Sequence, residues 1–247
     1  MKIIGIIPAR LGSSRLPEKV LADIGGKSMI QRVYEQTKLA QNLDEVWIAT
    51  DSERVFDHCK AFCTTVAMSS LSHQSGTDRC AELASALDTD WVINIQGDEP
   101  FIIPVQIDQL AEFILQNPEI QIATQYQKIK SSEELFNPSV VKLVKASDHR
   151  VLYFSRSAIP YVRNSEPSQW FSTHEYYRHV GMYAYRKNTL LEISQLKSSP
   201  LELVESLEQL RWLENSFSIF ACETSESNFG IDTIEDLEKA RDYSKNL

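Results

Sequence analysis

The stretch MKIIGIIPARLGSSRLPEK (residues 1–19) decides the fold. Ile3–Ile7 is a short apolar run, and PARLGSSRLPEK (8–19) follows it at once. An apolar run of this length, closed by a Pro/Gly/Ser-rich loop, reads as a strand buried on both faces. Two more runs, Val46–Ala49 and Trp91–Ile95, repeat the pattern. Between them lie the amphipathic stretches Met29–Leu39, Arg54–Phe62 and Thr77–Leu87. Strands alternating with helices predict βαβ units and a parallel sheet covered on both faces. Ser28 is placed to cap the first helix, and Pro104 fits the first turn of a helix over roughly 105–115. Met68 to Arg79 reads as a polar loop.

The second half changes character. Gln121–Gln127, Val140–Val144 and Val151–Phe154 read as strands of mixed or antiparallel pairing. The polar, aromatic segment 155–178 reads as an excursion from the core. Val180–Tyr185 alternates like a strand, and Ile219–Cys222 is a short one. Leu203, Leu207, Leu210 and Leu213 predict one amphipathic helix over Leu201–Leu213. Thr233 caps a last helix, with Glu235 and Asp236 at its positive end. The expectation is one α/β domain over 1–247, with a β-rich lobe at approximately 121–185.

Composition excludes several classes. The net charge of −9 argues against a general nucleic-acid binder, which needs a basic face. No apolar run approaches the roughly 18–20 residues of a membrane span, so no membrane insertion is expected. The N-terminus turns polar too soon for a signal peptide. Cys59, Cys63, Cys80 and Cys222 show no paired spacing, which fits reduced thiols in the cytoplasm.

Three constellations carry chemistry. The loop 8–19 sets Arg10, Arg15 and Lys19 against one acid, Glu18, beside Gly12, Ser13 and Ser14. In an acidic chain, a basic loop beyond a strand's carboxyl end is an anion site. Neither competing nucleotide motif is present. Gly26-Lys27-Ser28 lacks the leading P-loop glycine, since position 21 is Leu21, and no G-x-G-x-x-G occurs. Gly25-Gly26 reads instead as a tight turn. The second constellation is IQGDEP (95–100), where Asp98 and Glu99 leave the sheet. Acids beside a phosphate site predict Mg²⁺, held by carboxylates and phosphate oxygens. The competing reading is a helix N-terminal acid cluster. The third is FGIDTIEDL (229–237), whose local reading is a glycine turn and a helix cap around Asp232.

These pieces occur in one order: PARLGSSRLPEK, IATD (48–51), HQSGTDR (73–79), NIQGDEP (94–100), LYFSRSAIP (152–160), RHVGMYAYR (178–186), VESLEQLRWLE (204–214) and GIDTIEDLE (230–238). The whole chain resembles the 3-deoxy-manno-octulosonate (Kdo) cytidylyltransferases. That resemblance implies a nucleotide-diphospho-sugar transferase fold, Rossmann-like, with a mixed sheet and a smaller β-rich dimerisation lobe. It implies that CTP and Kdo give CMP-Kdo and pyrophosphate for lipopolysaccharide assembly, with Mg²⁺, in a cytoplasmic homodimer.

Residue roles follow from the same matches. Arg10, Ser13 and Lys19 correspond to a triphosphate cradle, with Arg15 helping on phosphate or sugar acid. Ala9, Arg10, Ser75 and Gly76 correspond to cytidine contacts, with Arg79 nearby. Asp98 and Asp232 correspond to a metal pair, which replaces the helix-cap reading of Asp232. Gln96, Arg156, His179, Tyr183, Glu208 and Gln209 correspond to the sugar-acid pocket. A plainer reading stands beside these last: Glu208 and Gln209 as an exposed helix face, His179 as a satisfied strand histidine, Tyr183 as core. The family loop LPGKPL is LPEKVL here, so Glu18 must turn away from Lys19 or weaken phosphate binding. Ile234 replaces a first-turn proline. Another acidic sugar as substrate, or a catalytically silent binding protein, are the other readings of the motif set.

Overall fold

The computed structural model describes residues 1–12, 16–226 and 230–245. Two compact units form: Met1–Glu112 with Ala184–Ser194 and Glu226–Leu247, and Phe113–Tyr183 with Gln195–Ser225.

In the first unit the chain runs β1 (Ile3–Ala9), β2 (Asp23–Ile24), β3 (Lys27–Ser28), α1 (Met29–Thr37), β4 (Glu45–Thr50), α2 (Glu53–Cys59), β5 (Val66–Met68), α3 (Gly76–Ala86) and β6 (Trp91–Asn94), then enters α4 (Pro104–Gln116). The expected strands and helices are present within a few residues; β5 and the β2–β3 ribbon were not expected. Ile4, Ile6, Ile7, Ile48, Val92 and Ile93 are buried, as a doubly covered parallel sheet requires. β1 pairs in parallel with β4 on one side and β6 on the other, and β4 with β5. The order is therefore β5-β4-β1-β6. The chain builds outward from β1 to β5, then returns to add β6 on the other side. The gap between β1 and β6 is the point where strand order reverses, and ligands of open α/β sheets bind there.

Local chemistry sets the ends of these elements. The Ser28 hydroxyl accepts the Gln31 amide at 3.3 Å and caps α1. Gly25 and Gly26, at φ 61° and 81°, make the left-handed turn between β2 and β3.

The second unit holds β7 (Ile122–Lys128), α5 (Ser132–Phe136), β8 (Lys142–Lys145), β9 (Val151–Ser155), α6 (Pro167–Thr173) and most of β10 (Tyr177–Arg186). The chain then contributes α7 (Lys187–Ile193) to the first unit. It returns for α8 (Pro200–Glu205), α9 (Glu208–Glu214) and β11 (Ile219–Glu223), and ends in α10 (Ile234–Ser244) of the first unit. Pairing in the second unit is mixed: β11 runs parallel to β7, while β8 runs antiparallel to β9 and β10.

Two expectations need correction. The helix expected over Leu201–Leu213 is broken in two. Ser206 takes a left-handed conformation (φ 52°), which no helix continues. Leu207 and Leu210 stay buried, but Leu203 is 68% exposed. The apolar spacing described a stripe that the break divides. The segment 155–178 is also no mere excursion. Trp170 of α6 is buried with Ile129, Leu135 and Tyr176 in a small core of its own. Its indole N–H donates to the Ser165 carbonyl at 3.0 Å, and the Tyr176 hydroxyl donates to the Pro160 carbonyl at 3.0 Å. Replacing a buried Trp by Ala costs about 3–5 kcal/mol where the side chain holds a core together. Trp170→Ala should lose that much in urea unfolding; a loss below about 1 kcal/mol would return this segment to an excursion.

Candidate functional site

β1 and β6 end side by side, and the loops that follow them meet at a glycine. A Cβ on Gly97 would lie 2.7 Å from the Pro8 carbonyl oxygen, so only glycine allows this approach. Gly76, at the start of α3, also packs on the Pro8 ring. Together these segments enclose a pocket of about 400 Å³, within the range of small-ligand sites.

Lys19 is the centre of this site. Its ammonium donates to Asp98 Oδ2 at 2.8 Å, to the Ile231 carbonyl at 2.8 Å and to Asp232 Oδ1 at 3.1 Å. All three of its protons are thereby used. The lysine side chain is only 13% exposed, against 33% for Asp98 and 48% for Asp232. The far end of the chain is brought here by backbone pairing, since the Ile231 amide donates to the Asp98 carbonyl at 2.9 Å. Ile231 itself is buried with Leu16, Ile24, Met29 and Leu237. Asp232 is followed by the expected cap: the Thr233 hydroxyl accepts from Asp236 N, and Asp236 accepts back. The helix cap expected of this motif is present, and the residue before it, Asp232, reaches the same ammonium as Asp98.

The pocket wall carries most of the nucleotide residues expected from sequence. Arg10, Gly12, Lys19, Ser75, Gly76, Arg79, Gln96, Asp98 and Asp232 all line it. Ala9 is fully buried in β1 and is absent from the lining, where Pro8 and Arg10 flank it. Ser13 and Arg15 lie outside the described residues. Ser75 caps α3 in a reciprocal box with Asp78, so the positive end of an eleven-residue helix opens on the pocket. Arg79 is buried: it donates to Asp51 Oδ2 at 2.9 Å and to Ser69 Oγ at 2.5 Å. It ties α3 to the ends of β4 and β5. His73 and Gln74 of the HQSGTDR stretch line it too, and Pro8, Val20 and Gly97 complete the wall without a role having been expected of them; the glycine before Asp98 was the available signal. Glu18 turns away from Lys19, as the sequence required. Its carboxylate pairs with Arg54 of α2, at a left-handed φ of 55° where the family loop has glycine.

The other residues expected at a sugar acid belong to the second unit and do not line this pocket. The Arg156 guanidinium donates to the backbone carbonyls of Glu205, Pro138 and Ser206. Glu208 accepts from Arg211 at 2.7 Å, and Gln209 is buried, so neither is a bare exposed face. Tyr183 is buried edge-on to Trp212, and burial raises its hydroxyl pKa well above the usual value. His179 contacts Phe154 and Tyr183, and its Nε2 lies 2.9 Å from Thr124 Oγ1. That hydroxyl has one proton and already faces the carbonyls of Val180 and Met182. The imidazole is therefore the donor, with its proton on Nε2. Burial, helped by the Arg178 charge, lowers the His179 pKa to about 3. His179 acts here as a neutral hydrogen-bonding group. Burial also pushes the Cys59 and Cys222 thiols up to about 12, which removes both as nucleophiles.

Whether the acids suit a divalent cation follows from their chemistry. Two carboxylates that already converge on one ammonium, beside an anion-binding wall, present the hard oxygen set that magnesium takes together with phosphate oxygens. Among the described residues no group of three or more His, Cys, Asp or Glu forms a metal site. The protein's share would thus be these two oxygens.

Such a pocket on such a sheet is that of a nucleotidyltransferase. The chain matches the cytidylyltransferase family over residues 4–224 and belongs to it. It is 49% identical to the 3-deoxy-manno-octulosonate cytidylyltransferase of Parabacteroides distasonis, over 100% of this chain and 99% of that protein. With the enzyme of the same name from Bacteroides thetaiotaomicron it shares 47%, over 100% and 99%. The solved structure of CMP:2-keto-3-deoxy-manno-octonic acid synthetase complexed with CTP superposes with a TM-score of 0.93 at 42% identity, covering 100% of both chains. A putative glucose-1-phosphate thymidylyltransferase from Bacillus anthracis shares the fold alone, at 17% identity and TM-score 0.65 over 99% of this chain and 96% of that one.

The half-buried His179 sets a pH dependence. The native imidazole stays neutral down to about pH 3, whereas the unfolded one takes a proton below its ordinary 6.5. The unfolded state binds more protons across that window, so stability falls as pH falls. Between pH 8 and pH 5.5, His179→Gln should lose less unfolding free energy than the wild type, by roughly 1 kcal/mol. Equal losses would mean that His179 is not held neutral.

Proposed function

We propose that the protein transfers CMP from CTP to the anomeric 2-hydroxyl of Kdo and releases pyrophosphate. The observation that carries this is the Lys19 ammonium, held between Asp98 and Asp232 at the strand-order reversal. Nucleotidyl transfer asks the protein for in-line positioning and charge neutralisation more than for covalent chemistry. Arg10 and the positive end of α3 bind the triphosphate. Lys19 exchanges a carboxylate contact for oxygens of the α-phosphate and the departing pyrophosphate. Asp98 and Asp232 would hold Mg²⁺, which when bound neutralises phosphate charge and acidifies the attacking hydroxyl. Arg156 takes the sugar carboxylate, a fork-to-fork match. Gln96, neutral His179, Tyr183, Glu208 and Gln209 take the sugar's hydroxyls. Arg79, braced by Asp51, stiffens the nucleotide wall.

The same reading makes the protein a homodimer through its β-rich lobe and places it in the cytoplasm. The four cysteines are free thiols, in keeping with a reducing compartment. Among the described residues no helix is long and apolar enough to cross a membrane.

Purified protein with CTP and Mg²⁺ should release pyrophosphate only when Kdo is added, and EDTA should stop it. Release with another octulosonic or nonulosonic acid instead would keep the mechanism and change the substrate; silence with every acidic sugar would refute the reading. Asp98→Asn and Asp232→Asn should each lower kcat by about 10²–10³, the usual effect of losing one preorganised electrostatic contact. Near-normal turnover in a folded Asp98→Asn protein would remove that residue from the machinery.

A further inference from the structure

Lys142 of β8 is fully buried, a rare location for a lysine. Its ammonium donates to the carbonyls of Asn137 at 3.0 Å, Val140 at 2.6 Å and Arg156. Three protons meet three carbonyls, so hydrogen bonding is complete, but no carboxylate among the described residues pairs with the charge. Burial lowers its pKa, Glu205 opposes that shift, and Arg156 adds to it.

Arg156 is fixed from several sides. Lys142 holds its carbonyl. The Glu205 carboxylate accepts its amide at 2.9 Å and the Ser155 hydroxyl at 2.6 Å. Its guanidinium donates through Nε to the Glu205 carbonyl at 2.6 Å, through Nη2 to Ser206 at 3.2 Å and through Nη1 to Pro138 at 3.0 Å. The break in the helix at Ser206 is what exposes the first two of these carbonyls. Of five guanidinium N–H groups, these bonds use three and leave one on each terminal nitrogen. That is the number a carboxylate needs for a two-point contact. The Glu205 carboxylate is spent on backbone and hydroxyl, not on the guanidinium. Lys142 and Arg156 against Glu205 leave one positive charge over, in a cluster whose arginine is half-buried.

We propose that Lys142 is a positioning residue for the sugar acid, which with Glu205 holds the Arg156 guanidinium ready for the substrate carboxylate. The proposal rests on the reading of Arg156 as the sugar-acid ligand. Lys142 never touches substrate. It fixes the backbone from which the arginine projects, while Glu205, held by the Arg156 amide and the Ser155 hydroxyl, leaves the guanidinium without a carboxylate partner.

The test is a double-mutant cycle on the full-length enzyme, followed by KM for Kdo and for CTP. Arg156→Ala should raise the Kdo KM by roughly tenfold to a hundredfold, the range for losing a charged hydrogen bond. Lys142→Met should raise it roughly tenfold, with the CTP KM and kcat within about threefold of wild type. The double variant should be no worse than Arg156→Ala alone, because Lys142 acts only through Arg156. An unchanged Kdo KM in Arg156→Ala would overturn the ligand reading and the proposal with it. A raised KM in Arg156→Ala, with Lys142→Met unchanged or with additive losses in the double variant, would overturn the proposal alone. Should Lys142→Met fail to fold by near-ultraviolet circular dichroism, Glu205→Gln perturbs the same Arg156 amide. It should raise the Kdo KM alone, and no change there would overturn the proposal.

Discussion

One ammonium joins three parts of this chain. Lys19 comes from the loop after the first strand, Asp98 from the loop after the sixth, and Ile231 and Asp232 from the segment before the last helix. Two acids this close repel, and the lysine is what holds them together before any ligand arrives. The close approach of Gly97 to Pro8 and the Ile231–Asp98 backbone bond place the three groups. The two carboxylates and the ammonium are thus held in place by the fold itself.

An acidic protein that handles two anionic substrates must concentrate positive charge where they bind. Positive charge is gathered in each of its units. The first has Arg10, Lys19 and the start of α3 around one pocket. The second has Lys142 and Arg156 close together, with the Glu205 carboxylate bound to the Arg156 amide and the Ser155 hydroxyl. Arg79 is a third kind of cation, buried and neutralised by Asp51, and its work is structural.

Much of this was legible in the sequence, for identifiable reasons. A parallel sheet buried on both faces writes itself as short apolar runs, so Ile3–Ile7, Val46–Ala49 and Trp91–Ile95 fell close to β1, β4 and β6. The loop that brings Arg10 and Lys19 to the pocket was visible as a local excess of base in an acidic chain. The role of Asp232 was not local at all: its own sequence describes a helix cap, and only the return of the chain to Asp98 gives it a second meaning. The break at Ser206 was hidden because the leucine spacing continues across it, and the carbonyls it frees are claimed by an arginine fifty residues away. Trp170 was passed over because polar neighbours masked a side chain that builds its own small core. Lys142 gave no signal, since a buried lysine among strand residues looks like an exposed one.

The central claim is that Asp98 and Asp232, held by Lys19 in the free protein, are the cation site of the nucleotide complex. The direct measurement is the relaxation of water protons by Mn²⁺, titrated onto the protein in the presence of CTP, for wild type and for Asp98→Asn. The account predicts tight Mn²⁺–CTP binding to the wild type and a loss of at least tenfold in affinity in the variant, with the fold intact. Equal affinity in the two proteins would contradict it and would require the metal, and the chemistry assigned to it, to sit elsewhere.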